Sequence, residues 1–263
     1  MNVDLNADVG ESYGRYSLGH DESLLRTVTS VNIACGFHAG DPGVMRRTVE
    51  LAARQGVQIG AHPGLSDLLG FGRREMDVTA QEVYDLTLYQ IGALEGFVRA
   101  AGATLHHVKA HGALYSMAAR RFELALAVVQ AVRDVSPTLI VYGLAGSAFV
   151  EATRTLGQPL AQEVFADRSY TAQGFLTPRG APGALLGEHV GVAQALRMAQ
   201  QGTVVATDGS VVSVQADTIC LHGDGVQAVQ TAQALRATLE AHGVHIASPV
   251  QPTASASEQK KVT

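Results

Sequence analysis

The chain has 263 residues, 46% of them hydrophobic and 16% charged, a balance that excludes a disordered polymer and supports a substantial core. Nineteen Lys plus Arg against 24 Asp plus Glu give a net charge of −5, and aromatics are 5% with no Trp, so basic or stacking platforms for nucleic acid are excluded. No apolar run has the length of a membrane span, no secretory signal is visible at the N-terminus, and Cys35 and Cys220 make no disulfide framework. The expected location is therefore the cytoplasm.

Apolar β-type runs alternate with helical patterns in chain order, the signature of a mostly parallel α/β fold. Strands are expected near 2–8, 30–35, 57–61, 105–110, 138–142, 160–165 and 217–221. The first helix opens on Asp41 with Pro42 in its first turn and Gly56 past its end. The next opens on the capping box Thr79-Ala80-Gln81-Glu82 and carries Val83, Leu86, Ile91, Leu94 and Val98 on one face. Further helices fit 113–133, 146–156, 188–201 and 223–241, and Asp208-Gly209 joins a hairpin. Residues 1–248 read as one domain and 249–263 as a disordered tail. Seven strand–helix units suggest a closed or nearly closed (β/α)7-type barrel. A doubly wound open sheet is the other arrangement this order allows.

Strand alternation places Asp4, Asn6 and Asp8 on one face, His107, Lys109 and His111 on another, and Cys220 and His222 on a third. An ordinary barrel interior is filled by Val, Ile and Leu. Here polar residues recur toward strand C-termini, the catalytic face of an α/β barrel. Lys109 is the only lysine outside the tail, which suits an oxyanion stabiliser or a partner for Asp4 or Asp8; the bland alternative is a structural ion pair. Asp8 and Glu163 are candidates for acid–base work, Asp8 the stronger because it ends the most polar strand, and His111 joins Lys109 as a candidate oxyanion stabiliser. Asp8, His38 and His62, with His111 or His222 as further candidates, form a divalent-metal set; the alternative is that the histidines only shape loops. Asn6, Asn32, His107, Arg168 and His222 are candidate substrate contacts, with Arg168 the best carboxylate clamp among Arg73, Arg74, Arg168 and Arg179. Cys35 and Cys220 read as small buried hydrophobes. No GxxxxGK[ST] loop exists, so the chain has no P-loop for ATP.

Together, Asp4–Glu11, Asn32–Asp41, Gly60–Pro63, Gly70–Arg74, His107–Tyr115, Phe165–Tyr170 and Cys220–Asp224 resemble the LamB/YcsF family, in order and over residues 1 to about 247. Ala110 stands where the family usually has proline, and Gly64-Leu65-Ser66-Asp67 replaces a Ser-Tyr-Pro-Asp type loop; neither change removes an ionisable group. The resemblance implies a seven-stranded barrel similar to polysaccharide deacetylases and the wider glycoside hydrolase–deacetylase group. It implies ATP-dependent 5-oxoprolinase activity, in which 5-oxo-L-proline, ATP and two waters give L-glutamate, ADP and phosphate. It implies two partner subunits, B and C, with ATP bound through them. The competing expectations are a stand-alone metal-dependent amidohydrolase or deacetylase, and a non-catalytic scaffold.

Overall fold

The computed structural model describes residues 1–221 and 228–252. Seven parallel strands close a barrel: β1 (Asn2–Val9), β2 (Ser30–Ala34), β3 (Gln58–His62), β4 (Leu105–Lys109), β5 (Ile140–Leu144), β6 (Leu160–Phe165) and β9 (Thr218–Leu221). They pair in that order, and β9 returns to β1 with Asn6 opposite Cys220. Closure decides between the two arrangements the element order allowed and joins the two edges of the ring. A short hairpin, β7 (Thr203–Val205) with β8 (Val211–Ser213), stands outside the barrel before β9.

The outward face of β1 is Val3, Leu5, Ala7 and Val9, buried beneath the helices. Its inward face is Asp4, Asn6 and Asp8, also buried. The apolar core therefore lies between barrel and helices, while the lumen is polar. A small separate cluster of Ile140, Tyr142 and Ala161 supplies apolar contact on the inner side.

The helices start where their caps dictate. In α2 (Pro42–Gln55), Asp41 accepts from the N–H groups of Gly43 and Val44, and Gly56 closes the end at φ 68°. In α3 (Ala80–Ala100), the Thr79–Glu82 capping box is fully formed. The long helix expected over 113–133 is two helices, α4 (Gly112–Arg120) and α5 (Phe122–Val135). Arg121 breaks it in extended conformation, φ −123° and ψ 108°. The apolar periodicity continues across this break, so pattern alone joined the two. The hairpin follows α6 (Ala148–Leu156) and α7 (Glu188–Gln201); α8 (Ala228–Ala241) comes after β9.

Two elements escaped the sequence reading. One is α1 (Asp21–Leu25); the other is β10 (His245–Ile246), which adds to β1 at Asn2 and Val3. Both are too short for periodicity to register. The tail expected to start at 249 still docks beneath the barrel: Pro249 O faces His106 Nε2 at 2.8 Å, and Gln251 donates to the carbonyls of Leu105 and His106. Among the described residues no helix is long and apolar enough to cross a membrane.

Candidate active site

The inward polar residues form a layered network. At the bottom, Asp4 accepts hydrogen bonds of 2.6 Å from Thr29, Ser30 and Thr218. Burial pushes its carboxyl up, and the three hydroxyls oppose that. Above it, Asn6 donates to Thr218 at 2.7 Å and to Glu163 at 3.0 Å. Asn32 donates to Asn6 Oδ1 at 2.7 Å and to Asp8 Oδ1 at 2.9 Å.

Lys109 sits in the middle, 2% exposed. Its ammonium lies 3.0 Å from Asp8 Oδ1, 3.0 Å from Glu163 Oε1, 2.9 Å from Cys220 Sγ and 3.3 Å from Asn6 Oδ1. Burial alone would discharge it; the Asp8 and Glu163 carboxylates overcome that and hold it well above the usual lysine range. Burial also pushes the Cys220 thiol up, so it meets the ammonium as a thiol.

Above this network opens a cavity of about 230 Å³, lined among others by Asp8, His62, Lys109, His111, Tyr115 and Arg168. His62 and His111 stand at its inner wall, with His38 packed against His111. Phe71, at φ 56° in the left-handed region, turns its carbonyl to His111 Nε2 at 2.8 Å. His62 Nδ1 faces Lys109 O at 2.8 Å, and His62 Nε2 meets His111 Nδ1 at 3.0 Å. The rings of His38 and His111 stack at 3.7 Å. Glu11 Oε1 lies 3.4 Å from His38 Nε2 and 3.6 Å from His111 Nδ1. Burial pushes His38 and His111 well below the usual imidazole range, so both are neutral near pH 7.

The predicted residues divide by this geometry. Asp8, Lys109, His111, His62 and Arg168 reach the cavity wall. Glu163 is fully buried behind Lys109 and is not among the lining residues, so its position suits holding the ammonium rather than touching substrate. Asn6, Asn32 and His107, expected to contact substrate, instead lie fully buried beneath the wall; their polar atoms serve one another and the Asp8–Lys109 pair. His111 Nε2 is engaged by Phe71 O, and its Nδ1 faces His62 Nε2 at 3.0 Å. Arg168 donates to Thr177 O at 2.6 Å and Ala184 O at 3.3 Å, which fixes its guanidinium in the wall. His222 lies outside the described residues.

Of the expected metal set, His38 and His62 come together and Asp8 Oδ2 lies 3.4 Å from His62 Nε2, while Asp8 Oδ1 is engaged by Lys109 and Asn32. A group of four forms instead: donor atoms of Glu11, His38, His62 and His111 lie within 4.8 Å of one another, all buried. Sequence reasoning missed Glu11 because strict alternation turns it away from Asp8. Gly10, at φ 68°, breaks that alternation and brings Glu11 back to the mouth. The Gly10-Glu11 pair directly after a strand was the available signal.

This arrangement of motifs matches a known family model. The LamB/YcsF family model covers residues 3–254. The chain belongs to the LamB/YcsF family. A LamB/YcsF relative from Bordetella parapertussis, named as the A component of 5-oxoprolinase, is 55% identical over 93% of this chain and 97% of its own length. The crystal structure of a lactam utilization protein from Thermus thermophilus matches with a TM-score of 0.88 and 46% identity, over 95% of this chain and 100% of that one. The catalytic domain of a peptidoglycan N-acetylglucosamine deacetylase from Eubacterium rectale matches with a TM-score of 0.52 at 10% identity, over 96% and 91%, a likeness of fold alone. The barrel expected from the LamB/YcsF resemblance, similar to the deacetylases, is the one observed.

Proposed function

We propose that this LamB/YcsF chain is the A component of an ATP-dependent 5-oxoprolinase. It opens 5-oxo-L-proline to L-glutamate, with two partner subunits, B and C, coupling ring opening to ATP hydrolysis. The observation that carries the reading is the buried Lys109 ammonium beside Asp8 at the cavity wall, in a chain 55% identical to a protein named for that activity. A lactam amide is resonance-stabilised, so its carbonyl resists water. ATP-driven activation lowers that barrier, and a chain without a P-loop takes the activation from its partners. That division puts the protein in the cytoplasm, where ATP is supplied.

In this reading Asp8 accepts the proton of the attacking water, as a carboxylate already aligned by Asn32 and Lys109. Lys109 donates to the oxygen on which negative charge develops, in a site where low dielectric makes that charge–charge interaction strong. Glu163 and Cys220 fix the ammonium from behind. Arg168 holds the substrate carboxylate. His111 lines the neighbouring wall. A divalent ion, were one held by the histidine cluster with Glu11, would supply Lewis acidity beside the same cavity.

The test is glutamate release from 5-oxoproline, with the two partner subunits, ATP and Mg²⁺ present and this chain added or left out. Release that needs both this chain and ATP supports the reading, and Asp8→Asn then abolishes it while the chain still folds. Release by this chain alone, without ATP, identifies a stand-alone amidohydrolase instead. Full coupling with Asp8→Ala and Lys109→Ala chains identifies a scaffold.

A further inference from the structure

The two carbonyls behind the His62–His111 pair determine where its hydrogens are. A carbonyl oxygen only accepts, so His62 Nδ1 carries the hydrogen given to Lys109 O, and His111 Nε2 the one given to Phe71 O. The remaining nitrogens, His62 Nε2 and His111 Nδ1, face each other at 3.0 Å. A cation between or beside them would meet both at once.

A proton answers only part of this geometry. It bridges one pair and leaves His38, 0% exposed, with no hydrogen bond on either ring nitrogen. An unbonded buried polar group is costly, and here it stands beside a buried carboxylate, Glu11. A metal ion answers more of it, with the His38 ring turned from its stack on His111 so that both meet one ion. Imidazoles that ligate a metal commonly donate their other N–H to a backbone carbonyl, as His62 and His111 do. Three donor separations, 3.0, 3.4 and 3.6 Å, lie near the edge of about 3.3 Å expected for a tetrahedron with bonds near 2.0–2.1 Å, and the four donors together span up to 4.8 Å.

We propose that Glu11, His38, His62 and His111 form a binding site for one divalent transition metal of the zinc or cobalt class, and that Asp8 is not a ligand. Three imidazoles and one carboxylate suit such ions better than magnesium or calcium, which prefer all-oxygen sites. Asp8 is committed to Lys109 instead: its Oδ1 accepts from Lys109 and Asn32. The site thus abuts the Asp8–Lys109 pair without sharing its carboxylate. The inference does not rest on the lactam reading, because its readout is metal and not turnover.

The experiment uses the full chain, stripped with chelator and titrated with Co²⁺, with zinc content measured separately after equilibrium dialysis. One equivalent of either ion, and visible cobalt bands of a four-coordinate nitrogen–oxygen site, are expected. His38→Gln and Glu11→Gln should each weaken binding by at least about 10-fold, the loss that outer-shell changes alone can produce. His106→Gln, at the other end of the barrel, should leave the stoichiometry and the bands unchanged. Circular dichroism confirms that each variant is folded. The unmodified chain provides the test that needs no variant: less than about a tenth of an equivalent bound at micromolar metal overturns the site. Loss of the ion in Asp8→Asn with retention in Glu11→Gln overturns the ligand set.

Discussion

Two histidine pairs lie at opposite ends of this barrel, and they start from the same hydrogen-bond pattern. At the mouth, His62 and His111 face each other at 3.0 Å, with their outer nitrogens against the carbonyls of Lys109 and Phe71. At the floor, His106 Nδ1 and His107 Nδ1 face each other at 3.0 Å, with His106 Nε2 against Pro249 O and His107 Nε2 against Asn32 Oδ1. Each pair has one hydrogen fewer than its contacts ask for when both rings are neutral. The neighbours separate them. The mouth pair has a third imidazole, His38, and a carboxylate, Glu11, within reach. The floor pair has the flat face of Tyr142, stacked on His107 at 4.0 Å, and the amide of Asn32. Burial lowers His106 and His107, so the floor pair takes up its missing proton only in acid. The same pattern is therefore ligand-like at one end and structural at the other. What decides is the set of surrounding donors, not the histidines.

The largest effect is expected between the two ends, where Lys109 joins them. Lys109→Met leaves Asp8 and Glu163 buried and uncompensated, which costs about 3–5 kcal/mol of stability by denaturant unfolding. Glutamate release should fall by about 10²–10³, the cost of one lost oxyanion donor. A variant that keeps full stability would show that the two carboxylates take up protons instead.

A smaller loss is expected at the floor. Gly60 packs against the face of His107, where any Cβ would overlap the ring. Gly60→Ala should destabilise by about 1–3 kcal/mol, the usual cost of overpacking, while metal content at the mouth stays the same. Loss of metal in this variant would show that the two ends are coupled through β3 and β4.

The smallest effect per group is the acid response. His38, His107 and His111 have native pKa values pushed below the ordinary 6.5, so below pH 6.5 the unfolded chain binds protons that the native chain refuses. Stability of the metal-stripped protein should therefore fall as pH drops from 6.5, by up to about 1.4 kcal/mol per pH unit for each ring that stays neutral. Thermal unfolding across pH 4.5–7.5 measures it. Bound metal should deepen the acid loss at the mouth, because its ligands must shed protons to bind. His107→Asn should remove only the floor's share.

All seven barrel strands could be read from the sequence because they are long enough for alternation to register, and the α2 and α3 boundaries because Asp41, Pro42, Gly56 and the Thr79–Glu82 box act locally. The polar inward face of β1 was equally legible: Asp4, Asn6 and Asp8 recur at period two. Lys109 stood out by its solitude. Nothing local showed that Asn6, Asn32 and His107 lie fully buried beneath the cavity wall. That reading needs the depth of each layer in the lumen, which barrel closure sets.

The amino-acid order by itself determined most of the elements, the polar lumen and the concentration of chemistry at strand C-termini, because propensity, capping and alternation act over a few residues. Tertiary structure alone decided that the sheet closes, that Glu163 backs Lys109, and that Glu11 joins His38, His62 and His111 in one buried group. Those outcomes depend on groups brought together from distant loops, and on one positive-φ glycine that reverses the face on which a carboxylate emerges. Electrostatic partnership falls off over a few ångströms in space and does not follow separation along the chain.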